Sequence, residues 1–332
     1  MYTITQKYAH VKGFNIQPDW GRNGTEIWLN FDRTRYKEMI RIGKERFPAM
    51  NTVRIWLSFD AWIQDRQIYL QSVKAAGETL SEEGLLIIPT YFNGWFGVPA
   101  FGGFTKECVQ ESQIPPYQVC IRETAAALKT ANILVHDVAN EPFNNVCGDQ
   151  RAFDTVLHFL KVMIGELRQI DDRPITVGTQ SYPSAEKRRC DIDTLAPYVD
   201  VFSLHPYNVR NKSMDEHEQS IVRLLDYLEP FGKPVIATEC CWATPTAEER
   251  ISYLETELTV LQKYGIGFTA QGLFTSPVAD LHPIDRIYRT EGLYMAFLDE
   301  AFQIRPYHDI FNRLFGSTAK QKRETIACPV WR

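Results

Sequence analysis

The sequence predicts a single (β/α)8 barrel spanning residues 1–332, and three observations predict it. Apolar, β-branched runs alternate with amphipathic helical stretches from one end of the chain to the other, the pattern of an α/β protein. There are eight such runs with a helix after each, and 332 residues suit one barrel with loop insertions. Polar residues end several different runs, which favours a closed barrel, with its functional groups at the strand ends, over an open sheet. No linker, low-complexity tract or internal repeat divides the chain.

Strand 1 is placed over Ala9–Ile16, followed by a loop through Trp20 and Trp28 and a helix from about Thr34 to Phe47. Asn51–Ser58 reads as strand 2, Arg66–Glu82 as a helix and Leu85–Asn93 as strand 3. An insertion then runs from Gly94 to about Pro116, rich in glycine and aromatics (Trp95, Phe96, Phe101, Phe104). Long loops in compact domains are functional or disordered, and these aromatics argue for function. A helix to Thr130 leads into strand 4, Ile133–Pro142. Phe153, Val156, Leu157, Leu160, Met163, Ile164 and Leu167 then fall on one helical face. Pro174–Gln180 and Asp200–Tyr207 are strands 5 and 6. Asp215 with Glu218 has the spacing of a capping box ahead of Ile221, Leu224, Leu225 and Leu228. Strand 7 lies within Lys233–Trp242, and Thr246 with Glu249 has the spacing of a second capping box. Ile251, Leu254, Leu258 and Leu261 form that helix's apolar stripe. Gly265–Ser276 is strand 8, and a loop through His282 and Arg289 precedes a last helix near Tyr307–Phe315. Trp56 and Trp62 read as core or barrel-wall residues.

Composition narrows the function. At 44% hydrophobic and 23% charged the chain is that of an ordinary globular protein. A net charge of -5 with no basic stripe argues against nucleic-acid binding. No apolar run is long enough to span a bilayer, so no membrane partner is expected. The first ten residues lack the apolar core of a signal peptide, which makes a cytoplasmic location the expectation. Seven cysteines with no C-x-x-C pair give neither a disulfide framework nor a zinc site. Cys240 and Cys241 read as small core residues. Cys108 and Cys120 could pair in an exported protein, but the missing signal favours thiols. With no H-E-x-x-H and no G-x-G-x-x-G, neither metal nor cofactor is expected.

The chemistry centres on strand 4, Ile133-Leu-Val-His-Asp-Val-Ala-Asn-Glu-Pro142. The proline stops the ladder where the carboxylate of Glu141 appears. Burial at such a strand end disfavours the charged form and raises the pKa, which suits a general acid. Lys233-Pro-Val-Ile-Ala-Thr-Glu-Cys-Cys-Trp242 repeats the design, with Glu239 at the end of a short apolar strand. Two strand-end glutamates are what retaining glycoside hydrolysis requires. Arg54 sits between apolar residues in strand 2, where a buried guanidinium needs an anion. His205 and Tyr207 alternate on strand 6 and so face one side.

These residues resemble the clan A glycoside hydrolases, nearest to family 5, the cellulase and mannanase family, over nearly the whole chain in order. The resemblance implies a (β/α)8 barrel with Glu141 as acid/base after strand 4 and Glu239 as nucleophile after strand 7. It further implies that Asn140 bonds the sugar 2-hydroxyl, that Arg54 lies beside the nucleophile, and that His205 lines the cleft. Tyr207 would then donate to the nucleophile carboxylate. The sequence departs from the family in two places. Tyr91, Phe92 and Asn93 stand where many members carry a histidine after strand 3, and Ala270–Ser276 lacks the tryptophan that follows strand 8. Trp242, Asn93 and Trp95 are candidates to serve the sugar instead. The expected activity is retaining hydrolysis of short, soluble β-linked oligosaccharides or glycosides, with carbohydrate as the partner. Transglycosylation at the same site, endo-acting β-glucanase or mannanase action, and a non-catalytic carbohydrate-binding barrel stay open.

Overall fold

The computed structural model describes residues 2–93, 109–146, 148–179, 191–208, 212–242, 244, 247–277 and 296–316. Eight parallel strands close into a barrel in chain order: β1 (Lys12–Ile16), β2 (Thr52–Trp56), β3 (Leu86–Asn93), β4 (His136–Asn140), β5 (Ile175–Gly178), β6 (Phe202–Leu204), β7 (Val235–Ala237) and β8 (Gly267–Ala270). The surrounding helices are α1 (Thr3–Gln6), α2 (Gly24–Leu29), α3 (Arg33–Arg46), α4 (Phe59–Gln64), α5 (Arg66–Glu82), α6 (Ile114–Ala127), α7 (Gln150–Arg168), α8 (Met214–Leu228), α9 (Ala247–Tyr264) and α10 (Ile310–Phe315). Part of the β5–β6 connection is also helical, at residues 191–195.

The core is what the strand and helix patterns demand. Helix α7 buries Val156, Phe159, Leu160, Met163, Ile164 and Leu167 as an i, i+3, i+4, i+7 stripe. Phe92 of β3 packs against it, 5.4 Å from the Phe159 ring and 5.5 Å from Tyr117 of α6. Strand β1 closes the barrel between β8 and β2, and the backbones approach so closely that a Cβ at Gly13 would lie 1.8 Å from the Thr52 carbonyl oxygen. Only glycine fits there.

Several local expectations are corrected. Trp28 lies in a short helix, α2, rather than a loop. The Asn23 side chain accepts from the Glu26 N–H to start α2, and the Trp28 indole donates to the Trp56 carbonyl at 2.8 Å. The capping box of α8 is Ser213 with Glu216, not Asp215 with Glu218. Glu218 is instead drawn to α9, where Lys263 Nζ lies 2.6 Å from its carboxylate. The last helix begins at Ile310, because Tyr307 adopts a left-handed φ of 70° that cannot propagate a helix. Strands 6 and 8 end earlier than expected, at Leu204 and Ala270, so His205 and Tyr207 lie beyond the ladder. Trp95, the rest of the aromatic run to Cys108, Thr246, His282 and Arg289 fall outside the described residues. Cys120, Cys240 and Cys241 are buried thiols. No described helix is long and apolar enough to cross a membrane.

Candidate active site

The site is built on the carboxyl ends of the strands, beginning with Arg54 in the middle of β2. Its guanidinium is completely buried, so its charge must be matched nearby. Two carboxylates and two amides do this. Nε and Nη2 donate to Asp137 Oδ2 at 2.9 and 2.6 Å, Nη2 to Asn140 Oδ1 at 2.9 Å, and Nη1 to Asn15 Oδ1 at 3.0 Å. Nη1 also donates to Glu239. The guanidinium carbon stands 4.6 Å from the centre of the Trp56 ring. Burial acts to depress the Arg54 pKa, but Asp137 and Glu239 overcome it and the net shift is upward.

Asp137 was not singled out by the sequence reading, yet it anchors the cluster. It is fully buried and also accepts from Thr90 Oγ1 and from the Gly178 N–H, both at 3.0 Å. In a regular strand Asp137 and Asn140, three apart, would point to opposite faces. The β4–β5 register shifts between them, and both reach Arg54. Asn140 Nδ2 in turn donates to Asn93 Oδ1 at 3.3 Å, which brings Asn93 to the same wall.

Glu141 follows β4 with a left-handed φ of 47°, a conformation that costs a non-glycine residue about 1–3 kcal/mol. Its N–H donates to the Gly178 carbonyl at 3.1 Å. The residue is 6% exposed, with His205 Nδ1 2.7 Å from Oε1 and Asn144 Nδ2 donating to Oε2 at 2.5 Å. His205 is fixed at its other nitrogen, where Nε2 lies 3.1 Å from Thr238 Oγ1. A Cβ at position 178 would come 3.2 Å from that Nε2, so glycine leaves the ring its room.

Glu239 stands two residues past β7 and is 3% exposed. Tyr207 donates to its Oε2 at 2.5 Å, and His205 Nδ1 is 3.7 Å from the same oxygen. Tyr207 reaches it from a tight turn rather than an extended strand, its N–H donating to the His205 carbonyl at 2.9 Å. Burial alone would raise the Glu239 carboxyl; His205, Arg54 and the Tyr207 hydroxyl outweigh it and hold the group below the usual range. Burial and the facing Glu239 charge push the Tyr207 phenol well up, so it stays a proton donor. Trp242 is half-buried beside Tyr207, ring centres 5.6 Å apart.

The expected residues Glu141, Glu239, Arg54, Asn140, Asn93, His205, Tyr207 and Trp242 thus gather at one end of the barrel. Carboxylate oxygens of Glu141 and Glu239 lie within 4.8 Å of each other, with His205 between them. Asn15, Asp137, Asn144 and Thr238 were missed. Asp137 carried a signal, a carboxylate in the middle of a buried strand that requires a cation; the amides carried none. Among the described residues, two sets bring three metal-competent atoms together: Glu141, His205 and Glu239, and Cys240, Cys241 and Glu257. In the first set Glu239 already bonds Arg54 and Tyr207, and in the second Glu257 already accepts two backbone N–H groups.

The sequence profile of Cellulase (glycosyl hydrolase family 5) matches residues 6–270. The chain belongs to glycosyl hydrolase family 5. This family 5 member has the barrel that its sequence predicted. Its fold is similar to that of the exo-β-1,4-mannosidase Op5Man5 from Opitutaceae bacterium strain TAV5, with a TM-score of 0.71, 18% identity and coverage of 91% of this chain. The chain spans 58% of that mannosidase's length. A GH5_18 protein of Streptomyces cattleya, solved in complex with GlcNAc, gives a TM-score of 0.67 at 14% identity, covering 94% of this chain and 82% of the other. A GH5-4 broad specificity endoglucanase from Clostridum cellulovorans gives 0.66 at 15% identity, covering 94% and 96%. At these identities the likeness is one of fold. No curated protein matches the chain in sequence.

Proposed function

We propose that this family 5 member is a retaining β-glycoside hydrolase with Glu239 as nucleophile and Glu141 as acid/base. The observation that carries the reading is the oxygen separation within 4.8 Å. Retaining enzymes hold their carboxyl groups about 5–5.5 Å apart, whereas inverting enzymes need about 6.5–9.5 Å to admit a water between carboxylate and sugar. Glu141 gives its proton to the glycosidic oxygen as the bond to the anomeric carbon breaks, and Glu239 Oε attacks that carbon from the opposite face. The glycosyl ester so formed is hydrolysed by a water whose proton passes to Glu141, and Glu239 leaves as a carboxylate. The downward shift at Glu239 supports its part in this, since His205, Arg54 and Tyr207 outweigh burial and keep it ionised and ready to attack. Asn140, oriented by Arg54 and Asn93, is the group that meets the 2-hydroxyl.

For substrate we propose short, soluble β-linked glycosides trimmed from one end. The aromatic insertion from Gly94 supports this reading, because every βα loop of a barrel opens on the active face and an insertion of that length can close a cleft into a pocket.

A 2-deoxy-2-fluoro glycoside found through a screen of aryl β-glycosides tests the roles. Covalent label on Glu239 with retained anomeric configuration is expected. Label on another carboxylate, or inversion, overturns the assignment. End-labelled oligosaccharides test the mode of attack: release of one fixed short unit supports trimming, and early internal fragments of mixed length refute it.

A further inference from the structure

Tyr207 donates one of the interactions that, with His205 and Arg54, keep the proposed nucleophile Glu239 ionised. Yet both residues lie beyond the ends of their strands, where the Gln271 N–H to the Cys240 carbonyl at 2.8 Å still ties the Glu239 segment to its neighbour. Two charged residues of α9 hold the backbone there. Glu257 is fully buried; its Oε1 accepts the N–H of Asn208, the residue after Tyr207, and its Oε2 accepts the N–H of Cys241 at 2.5 Å, two residues after Glu239. One carboxylate thus ties the segment carrying the donor to the segment carrying the acceptor. Seven residues earlier, and so on the same helical face, buried Arg250 donates from Nη1 to the Cys241 carbonyl at 2.7 Å and to the Trp242 carbonyl. Both backbone polar groups of Cys241, which sits at a left-handed φ of 63°, are therefore taken by side chains of one helix.

We propose that Glu257 is a positioning residue for the proposed reaction, setting the Tyr207 hydroxyl against the Glu239 carboxylate through the backbones of Asn208 and Cys241, with Arg250 as its counterpart on the Cys241 carbonyl. The inference rests on the reading of Glu239 as nucleophile. It requires an acceptor at both oxygens, which a carboxyl group supplies whether ionised or protonated and an amide does not. Burial pushes Glu257 up to about 7, while the two N–H groups favour its ionised form. Glu257→Gln keeps the shape of the side chain but turns an N–H donor towards one of the two backbone N–H groups, which must then move away.

The test reads Glu239 directly. In protein labelled with 13C at glutamate carboxyls, the Glu239 signal is assigned by its loss in Glu239→Gln and titrated in the wild type and in Glu257→Gln. Misalignment of Tyr207 should raise the Glu239 midpoint in Glu257→Gln by about one unit. Labelling by the 2-fluoro glycoside should slow by about tenfold with little change in its binding constant. Glu255→Gln, on the outer face of the same helix, should leave both unchanged. An unmoved Glu239 midpoint and labelling rate in folded Glu257→Gln overturn the proposal. If that variant does not fold, amide exchange in the wild type decides: Asn208 and Cys241 should exchange only with global unfolding, and exchange by local opening overturns it. Since the titration needs no substrate, a shifted midpoint together with an unlabelled wild type would uphold the positioning and sink the nucleophile assignment.

Discussion

Arg54 is shared between Asp137 and Glu239, and its 2.6 Å bond to Asp137 joins two side chains with no solvent exposure at all. This relationship makes Arg54 more than a companion of the proposed nucleophile. Removing one partner of a buried pair leaves the other charge without compensation, at a cost of about 3–5 kcal/mol.

Arg54→Met should therefore lower the unfolding free energy by about 3–5 kcal/mol, measured in urea. In whatever fraction folds, the Glu239 carboxyl loses a cation that favours its ionised form, so the acidic limb of the pH-rate profile should move upward. Asp137→Asn should cost less, because the amide oxygen still accepts from Arg54 even though its NH2 then faces the Gly178 N–H, and Glu239 becomes the sole carboxylate balancing the guanidinium. Full stability and an unmoved limb in Arg54→Met would contradict both statements.

Tyr207→Phe removes a donor from Glu239 without changing the shape of the ring. A hydrogen bond to a charged group is worth about 1.5–3 kcal/mol, so kcat/KM should fall roughly ten- to hundredfold. The acidic limb should again rise, because the hydroxyl stabilises the ionised carboxylate in the intact site. Steady-state kinetics between pH 4 and 8 would read both effects, and a downward shift of the limb would refute the direction.

Glu141→Ala should slow natural glycosides far more than aryl glycosides with good leaving groups, since only the former need the proton. Azide added to the mutant should restore turnover of the activated substrates and yield a β-glycosyl azide. An equal loss on both substrate types with no rescue would remove Glu141 from the acid/base role.

Stability should fall as the solution becomes acidic, through His136 and His217. Burial holds both imidazoles down to about 4, and for His217 the nearby Lys212 adds to it. An unfolded histidine titrates near 6.5, so between about 6.5 and 4 the unfolded chain takes up protons that the folded one refuses. Each histidine then removes about 1.4 kcal/mol per pH unit across that window. Glu257, raised to about 7, acts in the opposite sense between about 7 and its unfolded value, and offsets part of the fall. His217→Gln should lessen the slope by one histidine's share, measurable by denaturation at several pH values.

The strand and helix periodicities made the barrel legible, because each element buries one face and declares it. Glu141 and Glu239 were legible because each follows an apolar strand. The remainder depends on geometry that periodicity does not encode. The shift in β4 lets Asn140 and Asp137 both reach Arg54, and the turn after Leu204 aims Tyr207. Asn144, Asn15 and Glu257 act from a short helical turn after β4, from another strand and from the middle of α9, so only the closed barrel brings them to bear. The capping box of α8 was misplaced by two residues for a related reason: the sequence offered two acidic partners, and Glu218 was claimed by Lys263 of a distant helix.

The bond between Arg54 and Asp137 also has a consequence in time. During synthesis Asp137 leaves the ribosome roughly a hundred residues before Glu239, an interval of about 5–20 s at ordinary elongation rates. Throughout it the half-made barrel already contains the Arg54 cation but not the carboxylate it will serve. Asp137, supported by Thr90 from the strand between them, is a counter-ion that the growing chain has in hand. The nascent protein can thus collapse around a neutral pair instead of a bare guanidinium, and the Glu239 carboxylate is delivered late, to a partner already in place.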